Sequence, residues 1–289
     1  MTRWDTTLTP AALAALVAKA RRSRPELGDE EPELIGEGIS TLTYGWAEWV
    51  LRISRRHPEP WTWRGGRRHE LRLLAELRRR GLPVPADGTV IEEVGGLPSA
   101  ILERRIVGTP LAPDLVRTDP GLATKIAMIL DRLHAVGADE AASLGVPLDD
   151  PTGEFRDALA VVELDGGLRR HVESALELLD GRARIRTLCH RDFRVDHLIS
   201  SRDGDITGLL DLGDLGVDDP AIDLAHLHGE LGPDAVARIC AAMETADPGL
   251  AEAARTFHAL WPLLELAPGG DWWGDPATAR DRLAALLRP

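Results

Sequence analysis

The sequence predicts an α+β fold with two lobes, a small sheet-rich lobe followed by a larger, mostly helical one. Short β-like stretches separated by glycine-containing turns occupy most of the first third of the chain. Helical periodicity dominates after Gly108 and Pro110. This change places a domain boundary between residues 106 and 107, which divides the chain into lobes of residues 1–106 and 107–289.

The N-terminal lobe is predicted to contain two helices and five strands. The first helix spans Ala11–Arg22, after the start signals Thr9 and Pro10. The second spans Arg68–Arg80, carries a leucine stripe and is ended by a glycine and a proline. The strands are short apolar segments bounded by turn residues, namely Glu33–Gly36, Leu42–Trp46, Trp49–Ile53, Gly88–Glu92 and Ser99–Glu103.

The C-terminal lobe is predicted to be helical with three short β-like interruptions. Its clearest helix has an apolar stripe at helical spacing, formed by Leu122, Ile126, Leu130, Leu133 and Val136. The interruptions are Ile185–Cys189, His197–Ser200 and Ile206–Asp211. Helices resume at Pro220 and continue to the end of the chain.

Composition and charge exclude several classes of protein. The 289 residues include 47 acidic and 34 basic side chains, for a formal net charge of -13. This balance argues against binding to duplex DNA or anionic membranes, because both need clustered cationic surface. No apolar run approaches the roughly 18 residues of a membrane-spanning helix, and Cys189 and Cys240 make neither a disulfide framework nor a zinc site. We therefore expect a cytoplasmic protein without nucleic-acid or membrane partners.

Two short segments carry the residues best suited to catalysis. The first, Cys189–Ile199, contains His190-Arg191-Asp192, and the second begins nineteen residues after Asp192 with Asp211-Leu212-Gly213. They match the catalytic-loop and metal-binding motifs of kinases, the second after an apolar strand as that motif requires. Phosphoryl transfer needs one carboxylate aimed at the attacking hydroxyl group and another that holds magnesium on the phosphates. The two segments therefore indicate a phosphotransferase.

The chain resembles the aminoglycoside phosphotransferase family of kinase-like antibiotic phosphotransferases, which includes macrolide phosphotransferases. The resemblance rests on these two segments and on Asp218–Ala225, which continues the second one as in that family. It runs from about Glu33 to Leu227 and covers most of the chain. It implies a bilobal protein-kinase-like fold and an enzyme that transfers the γ-phosphate of ATP or GTP to a hydroxyl group of a small molecule, most of all an antibiotic.

The resemblance also assigns residues to the nucleotide. The loop Gly36–Thr41 between two strands resembles the family's phosphate-covering loop. The third strand carries a basic residue where the family contacts phosphate, and the next helix carries the carboxylate that pairs with it. A later strand resembles the hinge, whose backbone hydrogen-bonds the purine edge. The expected nucleotide-binding residues are Gly38, Ser40, Arg52, Glu70, Glu103 and Arg105.

For the reaction itself, the resemblance implies that Asp192 accepts or orients the substrate hydroxyl group. Asp211 would hold Mg2+, with help from His197. Asp214, close after the metal-binding aspartate, and Trp272, in a glycine-flanked loop near the C-terminus, are candidate substrate contacts. The expected partners are a nucleoside triphosphate and a hydroxylated small molecule.

Two positions depart from the family's pattern. Arg52 stands where the family has a lysine, and a guanidinium group binds phosphate bidentately rather than as a compact ammonium. The two lysines of the chain, Lys19 and Lys125, lie before the glycine loop and beyond the hinge, so Arg52 must replace the strand lysine. His197 stands where the family has a metal-binding asparagine, a change that some macrolide-type members share. Imidazole suits softer metals than magnesium, so contacts with phosphate or a metal-bound water are further roles for His197.

Two other functions stay open. A metabolite kinase of the choline or homoserine type fits the same motifs, and a pseudokinase would bind nucleotide without transferring phosphate, in keeping with Arg52 and His197. A protein kinase is disfavoured, because few residues separate Asp211 from the next helix and leave no room for a long activation loop. His190 and Asp223 are interpreted as structural, the first packing beneath the catalytic loop and the second bracing it.

Overall fold

The structure is a computed structural model of the 289-residue chain. It describes residues 8–38, 41–46, 48–54, 66–92, 99–148, 150–182, 186–269 and 275–287. The predicted contacts at Ser40 and Trp272 lie outside the described residues. Among the helices it describes, none is long and apolar enough to cross a membrane.

Two compact units make up the chain. The N-terminal unit comprises the chain up to Thr109, together with Ile199–Arg202 and Thr207–Gly213. The C-terminal unit comprises Pro110–Leu198, Asp203–Ile206 and the chain from Asp214. The sequence placed its boundary three residues earlier, after residue 106, and assigned the two later segments to the C-terminal lobe.

The N-terminal unit is built on a five-stranded antiparallel sheet in the order β1-β2-β3-β5-β4. Its strands are β1 (Glu33–Glu37), β2 (Thr41–Gly45), β3 (Trp49–Ser54), β4 (Thr89–Ile91) and β5 (Ala100–Arg104). All five lie within one residue of the predicted bounds, because each is a short apolar run between turn residues. The register places Arg52 of β3 opposite Ile101 of β5.

Two helices complete this unit. Helix α1 (Pro10–Ser23) begins where the hydroxyl group of Thr9 accepts a hydrogen bond from the N–H of Ala12, at 3.3 Å. Its buried face packs into a core cluster with side chains of the sheet, including Trp49 and Leu51. Of the stripe predicted for helix α2 (Gly66–Arg79), Leu74 and Leu77 are buried and Leu71 is half-buried. Leu73, which was not predicted, is buried as well.

Nine helices form most of the described C-terminal unit. They are α3 (Pro113–Thr118), α4 (Pro120–His134), α5 (Ala138–Ser143), α6 (Pro151–Val161), α7 (Gly166–Asp180), α8 (Ala221–Leu231), α9 (Pro233–Ala242), α10 (Leu250–Leu266) and α11 (Pro276–Leu286). The predicted stripe of α4 is fully or almost fully buried. Helix α10 lies at the centre and packs against α8, α6, α7 and α11.

Five short strands position the chemistry-bearing segments. They are β6 (Thr109–Pro110), β7 (Thr187–Cys189), β8 (Leu198–Ser200), β9 (Ile206–Leu209) and β10 (Gly216–Asp218). Strands β7 and β10 pair antiparallel, and a second small sheet has the order β6-β8-β9. The sequence predicts β7, β8 and β9, which end or begin longer apolar runs, but not β6 or β10. Strand β6 has two residues, one of them a proline, and β10 lies among glycine and aspartate residues that are typical of turns.

Candidate active site

The loop that follows β7, residues 190–197, is braced from beneath by one carboxylate. Asp223 of α8 is fully buried, and its oxygens accept hydrogen bonds from the backbone N–H groups of Arg191 at 2.7 Å and His190 at 3.1 Å. Its Oδ2 also lies 2.9 Å from Nε2 of His134. Burial alone would raise the pKa of Asp223, but His134, His190 and the Arg191 amide outweigh it and lower that pKa. The carboxylate therefore fixes the backbone at the start of this loop, the bracing role predicted for Asp223 from the sequence.

The start of α8 is itself anchored. Arg182 donates to Asp219 from Nε at 2.8 Å and to Asp247 from Nη1 at 2.6 Å. Asp219 also accepts the N–H of Ala221, the first residue of the helix, at 2.9 Å. Helix α8 therefore presents Asp223 to the loop from a fixed position.

Arg191 holds a backbone conformation that few residues with side chains adopt. Its φ angle is +67°, in the left-handed region. The residue is held on both sides, because its N–H donates to Asp223 and its carbonyl oxygen accepts from Nε2 of His226 at 2.8 Å. Its Nε lies 3.3 Å from the buried carboxylate of Asp218, and burial, only partly offset by Arg191, raises the pKa of Asp218 to about 7. Left-handed residues held this firmly cluster at functional sites.

The carboxylate of Asp192 lies between two imidazole rings. The backbone N–H of Asp192 donates to Nδ1 of His190 at 3.3 Å, and its carbonyl oxygen accepts from Nδ1 of His197 at 2.8 Å. Its Oδ2 is 3.8 Å from Nδ1 of His197, and its Oδ1 is 3.5 Å from Nδ1 of His226. The side chain is 29% exposed, so the loop presents a positioned carboxylate to solvent. Such a group can take a proton from a bound hydroxyl group.

The side chain of His197 is bound to the loop through one of its two ring nitrogens. A carbonyl oxygen only accepts hydrogen bonds, so the 2.8 Å contact with Asp192 requires a proton on Nδ1 of His197. The neutral ring then carries its lone pair on Nε2. An asparagine would likewise donate from its amide nitrogen and offer its oxygen to a metal. His197 therefore keeps one donor for the loop and one atom that can bind a metal.

The side chains of His134, Cys189 and Asp223 form a cluster inside the C-terminal unit. Ligand atoms of His134, Cys189 and Asp223 lie within 4.8 Å of one another, and all three residues are buried. Burial, together with the nearby carboxylates, raises the pKa of the Cys189 thiol well above its usual value, which disfavours a thiolate ligand. The oxygens of Asp223 already bind His134 and the loop backbone. We assign this group to the brace rather than to a metal.

In the N-terminal unit, Arg52 binds two buried carboxylates. Its Nη2 lies 2.5 Å from Oε1 of Glu70 on α2, and its Nε lies 2.7 Å from Oε1 of Glu103 on β5. Burial opposes the charge of Arg52, but Glu103 and Glu70 outweigh it and raise the pKa of Arg52. Arg67 holds the other oxygen of Glu70 at 2.6 Å. The predicted pair of Arg52 and Glu70 is therefore present, and Glu103 adds a partner that the sequence did not predict.

The segment that the sequence compared with a hinge is partly engaged in the sheet. Glu103 is paired with Val50 in the β3–β5 register, and its side chain is turned to Arg52. The backbone N–H of Arg105 donates to the carbonyl oxygen of Glu48 at 2.9 Å. The strand pairing therefore extends one residue beyond β5 and occupies the N–H of Arg105. Contact between this segment and a purine stays a prediction.

The remaining predicted residues lie at strand ends. The N–H of Gly38 donates to the carbonyl oxygen of Thr41 at 2.9 Å, which closes the turn between β1 and β2. Asp211 follows β9 in the N-terminal unit and has a φ angle of +53°, the same left-handed region as Arg191. Asp214 ends a 3₁₀ turn, is exposed, and belongs to the C-terminal unit.

Comparison with known proteins decides the family. Residues 33–257 match the model of the phosphotransferase enzyme family, which is most of the chain. The chain belongs to this family. A viomycin phosphotransferase from Streptomyces vinaceus is 29% identical over 192 residues, which are 60% of this chain and 66% of that protein. The match therefore spans just under two thirds of that relative's length.

Solved structures agree with the family's fold. A macrolide 2'-phosphotransferase from Brachybacterium faecium is 25% identical, with a TM-score of 0.64 over 97% of this chain and 99% of that chain. The GDP complex of aminoglycoside 2'-phosphotransferase-IIIa is 19% identical, with a TM-score of 0.76 over 95% of this chain and 98% of that chain. Together with the sheet-rich N-terminal region and the helical remainder, they confirm the predicted α+β, kinase-like fold class.

Two contacts of residues 190–197 were not predicted from the sequence. Glu230 of α8 accepts the backbone N–H of Val195 at 2.8 Å. His226 of α8 contacts both Arg191 and Asp192. The signal was weak but present, because residues three apart on a helix share a face, and His226 follows Asp223 by three.

Proposed function

We propose that this protein transfers the γ-phosphate of ATP or GTP to a hydroxyl group of a small-molecule antibiotic. One observation carries the proposal, the partly exposed carboxylate of Asp192 on a loop whose backbone is fixed from α8 by Asp223. Membership in the phosphotransferase enzyme family and similarity to a viomycin phosphotransferase support the reaction and the class of acceptor.

The N-terminal unit would bind the nucleotide. Nε and Nη2 of Arg52 bind Glu103 and Glu70, whereas Nη1 has no acceptor among the described residues. We assign Nη1 to the phosphates, because a guanidinium group held by carboxylates on one side can still donate from the other. Gly38 and Ser40 would cover the phosphates, and the base would lie against the chain that follows Glu103 and Arg105.

Asp211 and His197 would hold Mg2+. The carboxylate of Asp211 is the hard oxygen ligand that magnesium prefers, and Nε2 of His197 is the ring atom left with a lone pair. Bound magnesium would neutralise charge on the phosphates during transfer. A cytoplasmic location would supply this metal and the nucleotide, and it would keep Cys189 and Cys240 as free thiols.

Asp192 would act on the acceptor. It takes the proton of the substrate hydroxyl group while the hydroxyl oxygen attacks the γ-phosphorus in line. The bond from that phosphorus to the nucleoside diphosphate breaks, and the diphosphate leaves with the bond's electron pair. Asp214 and Trp272 would contact the acceptor. Positioning and charge neutralisation supply most of the rate enhancement.

The two unusual residues support transfer rather than nucleotide binding alone. Arg52 keeps the ion pair with Glu70, and His197 keeps the bond to the backbone of the catalytic loop. A pseudokinase would have no need to retain either contact together with the carboxylates of Asp192 and Asp211.

The test is a transfer assay with purified protein. ATP and GTP are each offered with cyclic-peptide, macrolide and aminoglycoside antibiotics, and with choline and homoserine. Products are detected as the acceptor plus one phosphoryl group by mass spectrometry. Transfer to an antibiotic supports the proposal, and transfer only to choline or homoserine replaces the acceptor class. Nucleotide binding without any transfer would leave a pseudokinase and sink the proposal.

A further inference from the structure

His226 occupies a position that neither the motifs nor the proposed mechanism uses. It lies on α8 with Nε2 at 2.8 Å from the carbonyl oxygen of Arg191 and Nδ1 at 3.5 Å from Oδ1 of Asp192. Its ring centroid lies 4.3 Å from that of Trp261 on α10. The side chain is 21% exposed, so it lies largely inside the protein, directly behind the proposed catalytic carboxylate.

The contact with Arg191 determines where the imidazole proton lies. A carbonyl oxygen only accepts hydrogen bonds, so Nε2 of His226 must carry a hydrogen. In the neutral ring Nδ1 is then bare, and its lone pair faces Oδ1 of Asp192. While Asp192 is ionised, neither Nδ1 of His226 nor Oδ1 of Asp192 carries a hydrogen to donate. Once Asp192 has taken a proton, its O–H can donate to Nδ1.

The surroundings on the loop side keep His226 neutral at pH 7. Burial is the main cause that lowers the pKa of His226 to about 4. Asp223 and the hydrogen bond to the Arg191 carbonyl oppose this shift, and His190 and Arg194 add to it. The imidazole is therefore uncharged when Asp192 is ionised and ready to accept a hydrogen bond.

The titratable and charged groups on the other helices packed against α8 do not change the neutral state of the His226 imidazole. From α10, His258 lies edge-on to Trp261 with ring centroids 5.5 Å apart, and burial lowers the pKa of His258 to about 4, so it is neutral as well. From α3, Arg117 donates to the carbonyl oxygen of Glu230. From α9, Arg238 donates to the carbonyl oxygen of Arg117 at 2.7 Å.

We propose that His226 is a positioning residue, an inference that rests on the proposed function. Its Nδ1 accepts a hydrogen bond from the carboxyl group of Asp192 after that group takes the substrate proton. This bond is absent in the resting enzyme and forms as the proton moves, so it favours the transition state over the ground state. Asp223 fixes the backbone of Arg191, whose carbonyl oxygen holds Nε2 of His226, and the ring of Trp261 packs against the imidazole. These contacts keep Nδ1 in position for the hydrogen bond.

The proton balance is complete without another reactant. The O–H bond of the acceptor breaks, its oxygen binds the γ-phosphorus, and the bond to the nucleoside diphosphate breaks. The proton rests on Asp192, hydrogen-bonded to Nδ1 of His226. It passes to solvent when the phosphorylated product leaves.

Two substitutions separate the acceptor role of Nδ1 from the loop contact of Nε2. Glutamine can place an amide donor where Nε2 lies but offers no acceptor at the position of Nδ1. Asparagine can place its oxygen at the position of Nδ1 but does not reach Arg191. We expect His226→Gln to lower kcat by about tenfold, the effect of one lost hydrogen bond. We expect His226→Asn to recover most of the rate, with KM for the nucleotide unchanged in both.

The comparison of the two variants supplies a readout that a purely structural role would not give. If only the loop contact mattered, His226→Asn would lose the larger part of kcat, because asparagine does not reach Arg191. If Nδ1 acts as the acceptor, His226→Gln loses the larger part. Equal kcat losses in both variants, or a larger loss in His226→Asn, would overturn the inference.

An NMR measurement on the whole protein keeps the inference testable without turnover. With 15N-labelled histidine, we expect His226 to show a protonated Nε2 and a bare Nδ1 at pH 7. In Asp192→Asn the side-chain amide can donate to the bare Nδ1, as the protonated carboxyl group would, so the Nδ1 resonance should move from its wild-type position at pH 7. A protonated Nδ1, or an Nδ1 resonance unchanged in Asp192→Asn, would contradict the inference. Failure of the wild type to transfer phosphate would instead contradict the proposed function.

Discussion

At the scale of single residues, the replacement of a strand lysine by Arg52 is explained by its partners. A planar guanidinium group directs separate N–H groups at separate acceptors, and Arg52 uses them for Glu70 on α2 and Glu103 on β5. Both carboxylates are almost completely buried. A compact ammonium group would not present the same pair of directions. The arginine is therefore a structural centre of the N-terminal unit as well as the proposed phosphate ligand.

Removing the charge of Arg52 should destabilise the protein. In Arg52→Met, Glu103 would be left in the interior without this cation, and Arg67 would be the remaining cationic partner of Glu70 among the described residues. We expect the free energy of unfolding to fall by about 3 kcal/mol or more, because a buried charge that loses its partner is costly. Denaturant unfolding followed by circular dichroism measures this change.

A matched control and a compensating change sharpen that test. Arg68→Met removes an arginine of α2 whose side chain is 76% exposed and pairs with Glu92 at the surface, so a loss below about 1 kcal/mol is expected. Adding Glu103→Leu to Arg52→Met should restore much of the stability but not nucleotide binding. A single variant as stable as wild type would contradict the assigned role of Arg52.

At the scale of elements, the backbone conformation of residues 190–197 depends on α8. Asp223 fixes the backbone at His190 and Arg191, Glu230 fixes it at Val195, and His226 holds the carbonyl oxygen of Arg191. Three side chains of one helix therefore determine the shape of a loop that contains no regular structure of its own until its final turn. A left-handed residue such as Arg191 persists only when its surroundings enforce it.

Loss of the hydrogen bonds that Asp223 accepts from the loop backbone should lower both activity and stability. Asp223→Asn replaces one acceptor oxygen with an amide that faces N–H donors. We expect unfolding free energy to fall by about 2 kcal/mol and phosphoryl transfer to fall by at least about tenfold, because the loop loses its fixed geometry. Asp234→Asn makes the same chemical change at an exposed site on α9 and should leave both quantities near wild type. Equal behaviour of the two variants would show that Asp223 braces nothing.

Prediction from sequence succeeded where the signal is local. Strands β1 to β5 and helices α1, α2, α4 and α8 have apolar periodicity and end signals within their own residues. The strands β6 and β10 have too few residues for a period. The pairing of Glu103 with Arg52 depends on the register between β3 and β5, and the contact of His226 with Asp192 depends on how α8 meets the loop. Such contacts join residues distant in sequence, and the only local pattern among them is the spacing of three between Asp223 and His226 on α8.

At the scale of the whole molecule, one buried carboxyl group should link stability to pH. Burial of Asp218 in β10 raises its pKa to about 7, above the value of about 3.9 expected for an unfolded aspartate. The folded protein therefore holds a proton that the unfolded chain releases between these values. Stability from this group is greatest at low pH and decreases as pH rises through that window.

Replacement of Asp218 tests this linkage. Asp218→Asn keeps an oxygen for the N–H of Asp219, which Asp218 binds at 2.6 Å, but it cannot ionise. Between pH 5 and 7 we expect wild type to lose stability relative to the variant, with a slope of at most about 1.4 kcal/mol per pH unit. Unfolding free energies of both proteins across this range measure the difference. Parallel curves would show that the carboxyl group of Asp218 titrates outside this window.

The carboxylate of Asp192 is the group on which the whole proposed reaction depends, and its replacement is the most direct measurement. Phosphoryl transfer to the acceptor found in the antibiotic screen is compared among wild type, Asp192→Asn and Asp196→Asn, an exposed aspartate of the same loop. We predict that Asp192→Asn lowers kcat by about a hundredfold or more, while nucleotide binding and Asp196→Asn remain close to wild type. Full transfer activity in Asp192→Asn would contradict the proposed mechanism.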